Sequence, residues 1–290
     1  MYQVFITLTT FTAVFGLIVI GAGEVLSRPA NGSVGAAPIE LHAESVTLRL
    51  SNESISGWLA RGTPGLGIVL LLHGVRSDRR QMLGRARFLF QAGYSIMLID
   101  LPAHGESGGE RITFGYQEAE GVKAAMRYLT ETFPDEKVAV IGVSLGAASL
   151  VLSKVSPAPS AVVLESMYLT IEEAITRRLE KRFGPLGGLF TPLFLWQLPL
   201  RLGVTADQLR PIANLSALCS PVLIVSGAED RHPTVAETQR LFESANQPKE
   251  LWIIEGAAHV NLHEYNPEEY EAKVSAFLHK YLRDESYEVK

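Results

Sequence analysis

Lys137-Val138-Ala139-Val140-Ile141-Gly142-Val143-Ser144-Leu145-Gly146-Ala147-Ala148-Ser149 is the stretch that decides how this chain folds. A short apolar run, rich in β-branched residues, meets a tight turn. Small residues that can open a helix come next. A serine on such a strand–turn–helix corner is held with its hydroxyl pushed clear of the backbone. Glycine at 142 and 146 permits the tight turn and lets neighbouring elements approach closely. Ser144 is therefore the candidate nucleophile, and its plain alternative is an ordinary strand–helix turn.

Working outward, Ile68–Leu72, Tyr94–Ile99, Ala161–Leu164, Val222–Val225 and Glu250–Ile254 read as further strands. Arg79–Ala92, Tyr116–Glu131, Val235–Ala245 and Glu268–Leu282 read as helices between and after them. This alternation predicts the α/β class, with a doubly wound, mainly parallel sheet. Two alternating segments, Ser45–Leu50 and Ile55–Arg61, predict an antiparallel pair at its start. The alternation breaks once, and residues 166–219 read as a cap insertion. Phe183 to Leu200 carries no charge, but Pro185, Pro192 and Pro199 break it into short pieces. A membrane crossing there would also put the last third of the sheet across the bilayer from Ser144. Phe190, Leu193, Phe194 and Trp196 either line an acyl pocket or simply pack the cap.

The chain has 290 residues, 47% of them hydrophobic and 20% charged, enough for one large domain with a sizeable core. With a net charge of −5 and no dense Lys/Arg patch, nucleic acid is not an expected partner. Cys219 is the only cysteine, so no intrachain disulfide or cysteine-based zinc site can form. Its place before Val222–Val225 predicts a buried, inert thiol. At the other end, Val4 to Ala22 is almost entirely apolar and Met1 to Gly23 is uncharged. Residues 1–27 therefore predict a single-pass membrane anchor, with the cleavable signal peptide as its rival. Arg28 follows with nothing basic before it, which leans towards a cytoplasmic catalytic domain. Residues 28–38 read as a linker and 39–290 as the folded domain.

A neutral serine hydroxyl needs a base, a group to orient that base, and donors for the oxyanion that forms. In an open parallel sheet these groups lie beyond the carboxyl ends of strands. His259 follows the last strand and is the candidate base. Asp230 follows Val222–Val225 and is the candidate for the carboxylate that orients it; Glu229 and Glu165 are rivals, and a turn role beside Pro233 is its plain alternative. The order Ser, Asp, His is the one this strand–turn–helix chemistry uses. Val75, after His73-Gly74, and Leu145 can each supply an oxyanion N–H. His73 reads as structural, and Asp100–Ser107 as a brace for the loop that carries it. His73, Asp100 and His104 have no metal-ligand spacing, so no metal site is expected.

His73-Gly74, Asp100-Leu101-Pro102-Ala103-His104-Gly105-Glu106-Ser107, Gly142-Val143-Ser144-Leu145-Gly146, Asp230 and Gly256-Ala257-Ala258-His259 together resemble the α/β-hydrolase superfamily, from about Glu44 to Leu282. Gly256 to Tyr270 is similar to its serine aminopeptidase-like and BEM46-like branch, many members of which carry an N-terminal membrane anchor. The resemblance implies the α/β-hydrolase fold, a Ser144–Asp230–His259 triad and no cofactor, and does not settle the substrate; a small-molecule or lipid-like ester is the expectation, the lipid-like one from the apolar N-terminus. It leaves esterase, peptidase or amidase and acyltransferase chemistry open, with a catalytically silent membrane scaffold as the non-enzyme alternative. Two departures stand out. Arg231-His232-Pro233 replaces the branch's apolar pair before proline, and Arg231 is placed to pair with Asp230 or an acidic substrate. Val75-Arg76-Ser77-Asp78 replaces a glycine run, leaving Val75 as the one donor from that loop.

Overall fold

The computed structural model describes residues 16–50 and 53–283. Its strands are β1 (Ala30–Asn31), β2 (Glu44–Arg49), β3 (Ser54–Ala60), β4 (Ile68–Leu72), β5 (Ser95–Ile99), β6 (His104–Gly105), β7 (Val138–Val143), β8 (Ala161–Glu165), β9 (Val222–Gly227) and β10 (Lys249–Ile254). Its α-helices are α1 (16–27), α2 (Leu83–Gln91), α3 (Glu118–Thr132), α4 (Leu145–Ser153), α5 (Ile171–Phe183), α6 (Thr191–Leu195), α7 (Gln197–Leu202), α8 (Pro211–Leu215), α9 (Val235–Ser244), α10 (Leu262–Tyr265) and α11 (Pro267–Leu282).

Eight strands form one sheet in the order β10-β9-β8-β7-β4-β5-β3-β2. Only β3 runs antiparallel to its neighbours, β2 and β5; the other pairings are parallel. The continuous apolar strands are buried on both faces, as a parallel sheet between helix layers requires. Ile68, Leu70, Val138 and Val140 face a core shared with Val122 and Leu129 of α3 and Leu150 of α4. Val69, Leu71, Ala139 and Ile141 face the other, with Leu89 of α2 and Val274 and Leu278 of α11. Burying each such side chain contributes on the order of 1.5–3 kcal/mol before chain entropy is subtracted.

The insertion between β8 and β9 has a small core of its own, formed by Ile171, Leu198, Val204 and Leu209. α5 starts where Thr170 accepts a hydrogen bond from the Glu173 N–H, with Glu172 and Glu173 in its first turn and Lys181 and Arg182 in its last. Both charge placements favour the helix dipole. The uncharged stretch after it folds into a 3-10 segment (Pro185–Phe190) and the short helices α6 and α7.

The N-terminus corrects the expectation of a membrane anchor and a membrane location. No helix among the described residues is long and apolar enough to cross a membrane. Most of the expected span, through residue 15, lies outside the described residues. The remainder, α1, is held against the cap by polar contacts. Glu24 forms ion pairs with Arg111 and Arg201, Arg201 Nη2 donates to the Ile20 carbonyl at 2.9 Å, and Gln197 Nε2 donates to the Val19 carbonyl at 3.3 Å. Residues 28–35 then run along the loop after β5, where β1 pairs with β6. Cys219 is exposed rather than buried, because it sits in the turn three residues ahead of β9.

Candidate active site

Ser144 joins β7 to α4 with φ 49° and ψ −103°. A non-glycine residue at positive φ is strained, and the surroundings must hold it there. Those surroundings are close backbone contacts. A Cβ on Gly142 would lie 2.6 Å from Ala147 N, and one on Gly146 would lie 2.5 Å from the Leu72 carbonyl oxygen. The Ser144 N–H donates to the Glu165 carbonyl at 2.8 Å, tying the corner to the next strand.

Asp230 lies beyond the end of β9 and His259 beyond β10, on neighbouring strands. His259 Nδ1 donates to Asp230 Oδ2 at 2.9 Å. An ionised carboxylate only accepts, so Nδ1 carries the proton and Nε2 is left with a lone pair. Asp230 Oδ1 accepts the His232 N–H at 2.6 Å, and its side chain is fully buried while His259 is 41% exposed. Both carboxylate oxygens are thus used, and Arg231 makes no ion pair with them. Glu165, one rival acid, is committed elsewhere. Its carboxylate accepts from Arg85 Nε at 2.8 Å and from the Tyr270 hydroxyl at 2.5 Å, all buried. Arg85 Nη1 also donates to Asn261 at 2.8 Å, fixing the loop that carries His259.

Val75 and Leu145 line the same cavity as Ser144. The Leu145 N–H is the first of α4 and lies beyond reach of any intrahelical carbonyl. Neither N–H donates to a protein acceptor among the described residues. His73 shapes this loop: Nδ1 donates to the Gly74 carbonyl at 2.7 Å and Nε2 accepts the Leu101 N–H at 3.0 Å. Burial pushes its pKa down to about 4, so the ring is neutral. Asp100 braces the next turn, accepting from the Arg79 backbone at 2.8 Å and from the Glu106 N–H at 2.8 Å.

The structure thus pairs Asp230 with His259, and groups Ser144 with Val75 and Leu145. Among the described residues, the Ser144 hydroxyl makes no hydrogen bond to His259. The cavity beside Ser144 holds about 160 Å³ and is mostly apolar. Phe194 of the cap lines it, whereas Leu193 and Trp196 are exposed. Several contributors are absent from the sequence reading. Leu26 of α1 forms part of the wall, as do Tyr168, which follows β8, and Arg178 of α5. Tyr168 donates to the Phe114 carbonyl at 2.5 Å, closing the cavity floor. Only an apolar run was legible at α1, and nothing in it signalled a partner in the cap.

A model of the Alpha/beta hydrolase family matches residues 69–273. Among relatives by sequence, the uncharacterized protein YqkD of Bacillus subtilis is 24% identical over 214 residues, covering 72% of this chain and 70% of its own. The Mycobacterium tuberculosis protein Rv2307c is 28% identical over 209 residues, covering 71% and 68%. Among solved structures, the esterase Pf2001 of Pyrococcus furiosus superposes with a TM-score of 0.71 at 26% identity, covering 88% of this chain and 100% of its own. The proline iminopeptidase of Mycobacterium smegmatis shares the fold, with a TM-score of 0.59 at 14% identity over 82% of this chain and 98% of its own.

Proposed function

The chain belongs to the alpha/beta hydrolase family, and from that premise we propose that it is a serine hydrolase of carboxylic esters. The observation that carries the reading is Ser144, strained at a strand end and opening into an apolar cavity that Val75 and Leu145 also line. The Asp230–His259 pair on the adjacent strand ends supplies the base and its orienting group. Likeness to a solved esterase favours an ester over an amide. Similarity of Gly256–Tyr270 to the serine aminopeptidase-like and BEM46-like branch supports membership of that branch.

Ser144 Oγ attacks the acyl carbonyl carbon while His259 Nε2 takes its proton. The carbonyl oxygen gains the negative charge and accepts from the Val75 and Leu145 N–H groups. Collapse breaks the bond to the alcohol oxygen, which leaves with the proton from Nε2. Water then attacks the acyl-enzyme, gives its proton to Nε2, and the acid departs as Ser144 regains it. Asp230 holds His259 in the tautomer that can accept. The Ser144–His259 hydrogen bond forms as substrate closes the site, as such bonds often tighten only in the complex.

Fluorophosphonate labelling and hydrolysis of 4-nitrophenyl butanoate test this, beside the matched anilide. Ser144→Ala should lose both labelling and ester turnover. Ester turnover that survives in that variant removes the mechanism, and faster cleavage of the anilide replaces esterase with amidase.

A further inference from the structure

Among the described residues, three cations around Ser144 and His259 form no ion pair. Arg178 shares two cavities with Ser144: the apolar one and a smaller one that reaches His232 and Pro233. Lys181, three residues further along α5 and on the same face, lines an open cleft of about 560 Å³ with Asp230, Arg231 and His259. Among the described residues, none of Arg178, Lys181 and Arg231 forms an ion pair, and the one hydrogen bond Arg178 makes is to the Ala174 carbonyl at 3.2 Å.

The nearby acids do not neutralise them. Glu180 and Glu237 are held by Arg177, and Glu173 by Arg240. Asp230 stays ionised while it holds His259 Nδ1 and the His232 N–H, and Glu229 is the second carboxylate on the cleft wall. Arg178, Lys181 and Arg231 outnumber these two carboxylates, which gives the mouth of the site a positive balance in a chain with net charge −5. Burial first, and then the charges of Arg178 and Lys181, hold His232 below its ordinary value.

We propose that Arg178, Lys181 and Arg231 bind an anionic group, carboxylate or phosphate, carried on the alcohol part of the ester. This rests on the hydrolase reading of Ser144 and His259. His259 must hand its proton to the leaving oxygen, so the alcohol lies on the His259 side, where Lys181 and Arg231 are. The acyl part has the apolar cavity. A guanidinium offers planar paired donors to either anion, and ammonium groups add charge.

Three butanoate or adipate esters test the proposal: 4-nitrophenyl butanoate, 3-carboxy-4-nitrophenyl butanoate, and mono-4-nitrophenyl adipate. Rates are normalised to hydroxide-catalysed hydrolysis. The ester with the anion on its leaving group should show kcat/KM about ten-fold above the neutral one, the scale of one charge-assisted hydrogen bond. That ratio should fall about three-fold in Arg178→Gln, mainly through KM, approach one when Lys181→Gln is added, and largely return in Arg178→Lys. It should also shrink with added salt. Equal turnover of neutral and leaving-group-anionic esters, or a ratio untouched by Arg178→Gln, overturns the proposal while Ser144-dependent hydrolysis stands. Preference for the adipate overturns it in favour of an anion on the acyl side. If no ester is cleaved and Ser144 is not labelled, the hydrolase reading falls and this proposal with it.

Discussion

Replacing Asp230 by asparagine changes one atom's hydrogen-bonding sense and little else. The side chain is fully buried, with one oxygen on the His232 N–H at 2.6 Å and the other on His259 Nδ1 at 2.9 Å. A backbone N–H only donates, so the asparagine carbonyl must keep that contact. Its NH₂ then faces Nδ1. Two donors cannot share the position, so the ring must move its proton to Nε2, the nitrogen that should accept from Ser144. The variant also lacks the charge that stabilises the imidazolium. Together these should lower kcat by about 10⁴-fold, or about 5.4 kcal/mol of transition-state stabilisation. The assays are kcat/KM for 4-nitrophenyl butanoate and the rate of fluorophosphonate labelling, with thermal unfolding as the check that the fold survives. Retention of more than a tenth of wild-type activity in Asp230→Asn would refute the reasoning. A thousand-fold loss in Glu229→Gln instead would show that the neighbouring carboxylate does the work.

Four further outcomes are expected. The folded pKa of His73, about 4, lies below the ordinary value, so the unfolded chain takes up the proton first as pH falls. Its stabilising share is complete above about pH 6.5 and lost towards pH 4, with about 2 kcal/mol gone by pH 5; urea unfolding at pH 7.5 and 5 should show a smaller pH loss in His73→Gln, and equal losses would count against it. Glu165→Ala leaves Arg85 charged and buried beside Tyr270, and should cost about 3–5 kcal/mol by urea unfolding. Gly146→Ala forces a Cβ against the Leu72 carbonyl, and should destabilise by about 1–3 kcal/mol while slowing fluorophosphonate labelling of Ser144. Leu26→Trp should narrow the cavity of about 160 Å³ and shift the preferred acyl chain to shorter lengths in an ester series; an unchanged profile would remove α1 from the cavity wall.

The strands were legible because a parallel sheet covered on both faces needs continuous apolar runs, and Ile68–Leu72 and Ala161–Glu165 are such runs. The candidate site residues were chosen from the same fact. Once the strands were ordered, their carboxyl ends left few polar candidates, and Asp230 beside His259 was among them. What resisted was any pairing between distant charges. Glu165 read as a possible acid because nothing local marks Arg85 as its partner, 80 residues away. The unpaired state of Arg178 was hidden for the same reason. A charge on a helix such as α5 reads as a solvated face until the surrounding carboxylates are seen to be taken.

The N-terminal segment shows the limit most clearly. Apolar length alone cannot separate a helix that meets lipid from one that meets protein, because both bury the same side chains. The deciding residue is Glu24, whose partners Arg111 and Arg201 lie 87 and 177 residues away. Ion pairs on a surface are individually weak, on the order of 0–1 kcal/mol. Several acting on residues 16–27, together with donations to the Val19 and Ile20 carbonyls, set the orientation of this segment. That orientation turns Leu26 and Ser27 towards Ser144 and leaves Leu17, Ile18 and Val25 outward. Gly23, Leu26 and Ser27 of α1 thereby line the cavity, and on the proposed reaction the acyl group Ser144 accepts is set partly by residues more than 115 positions before it.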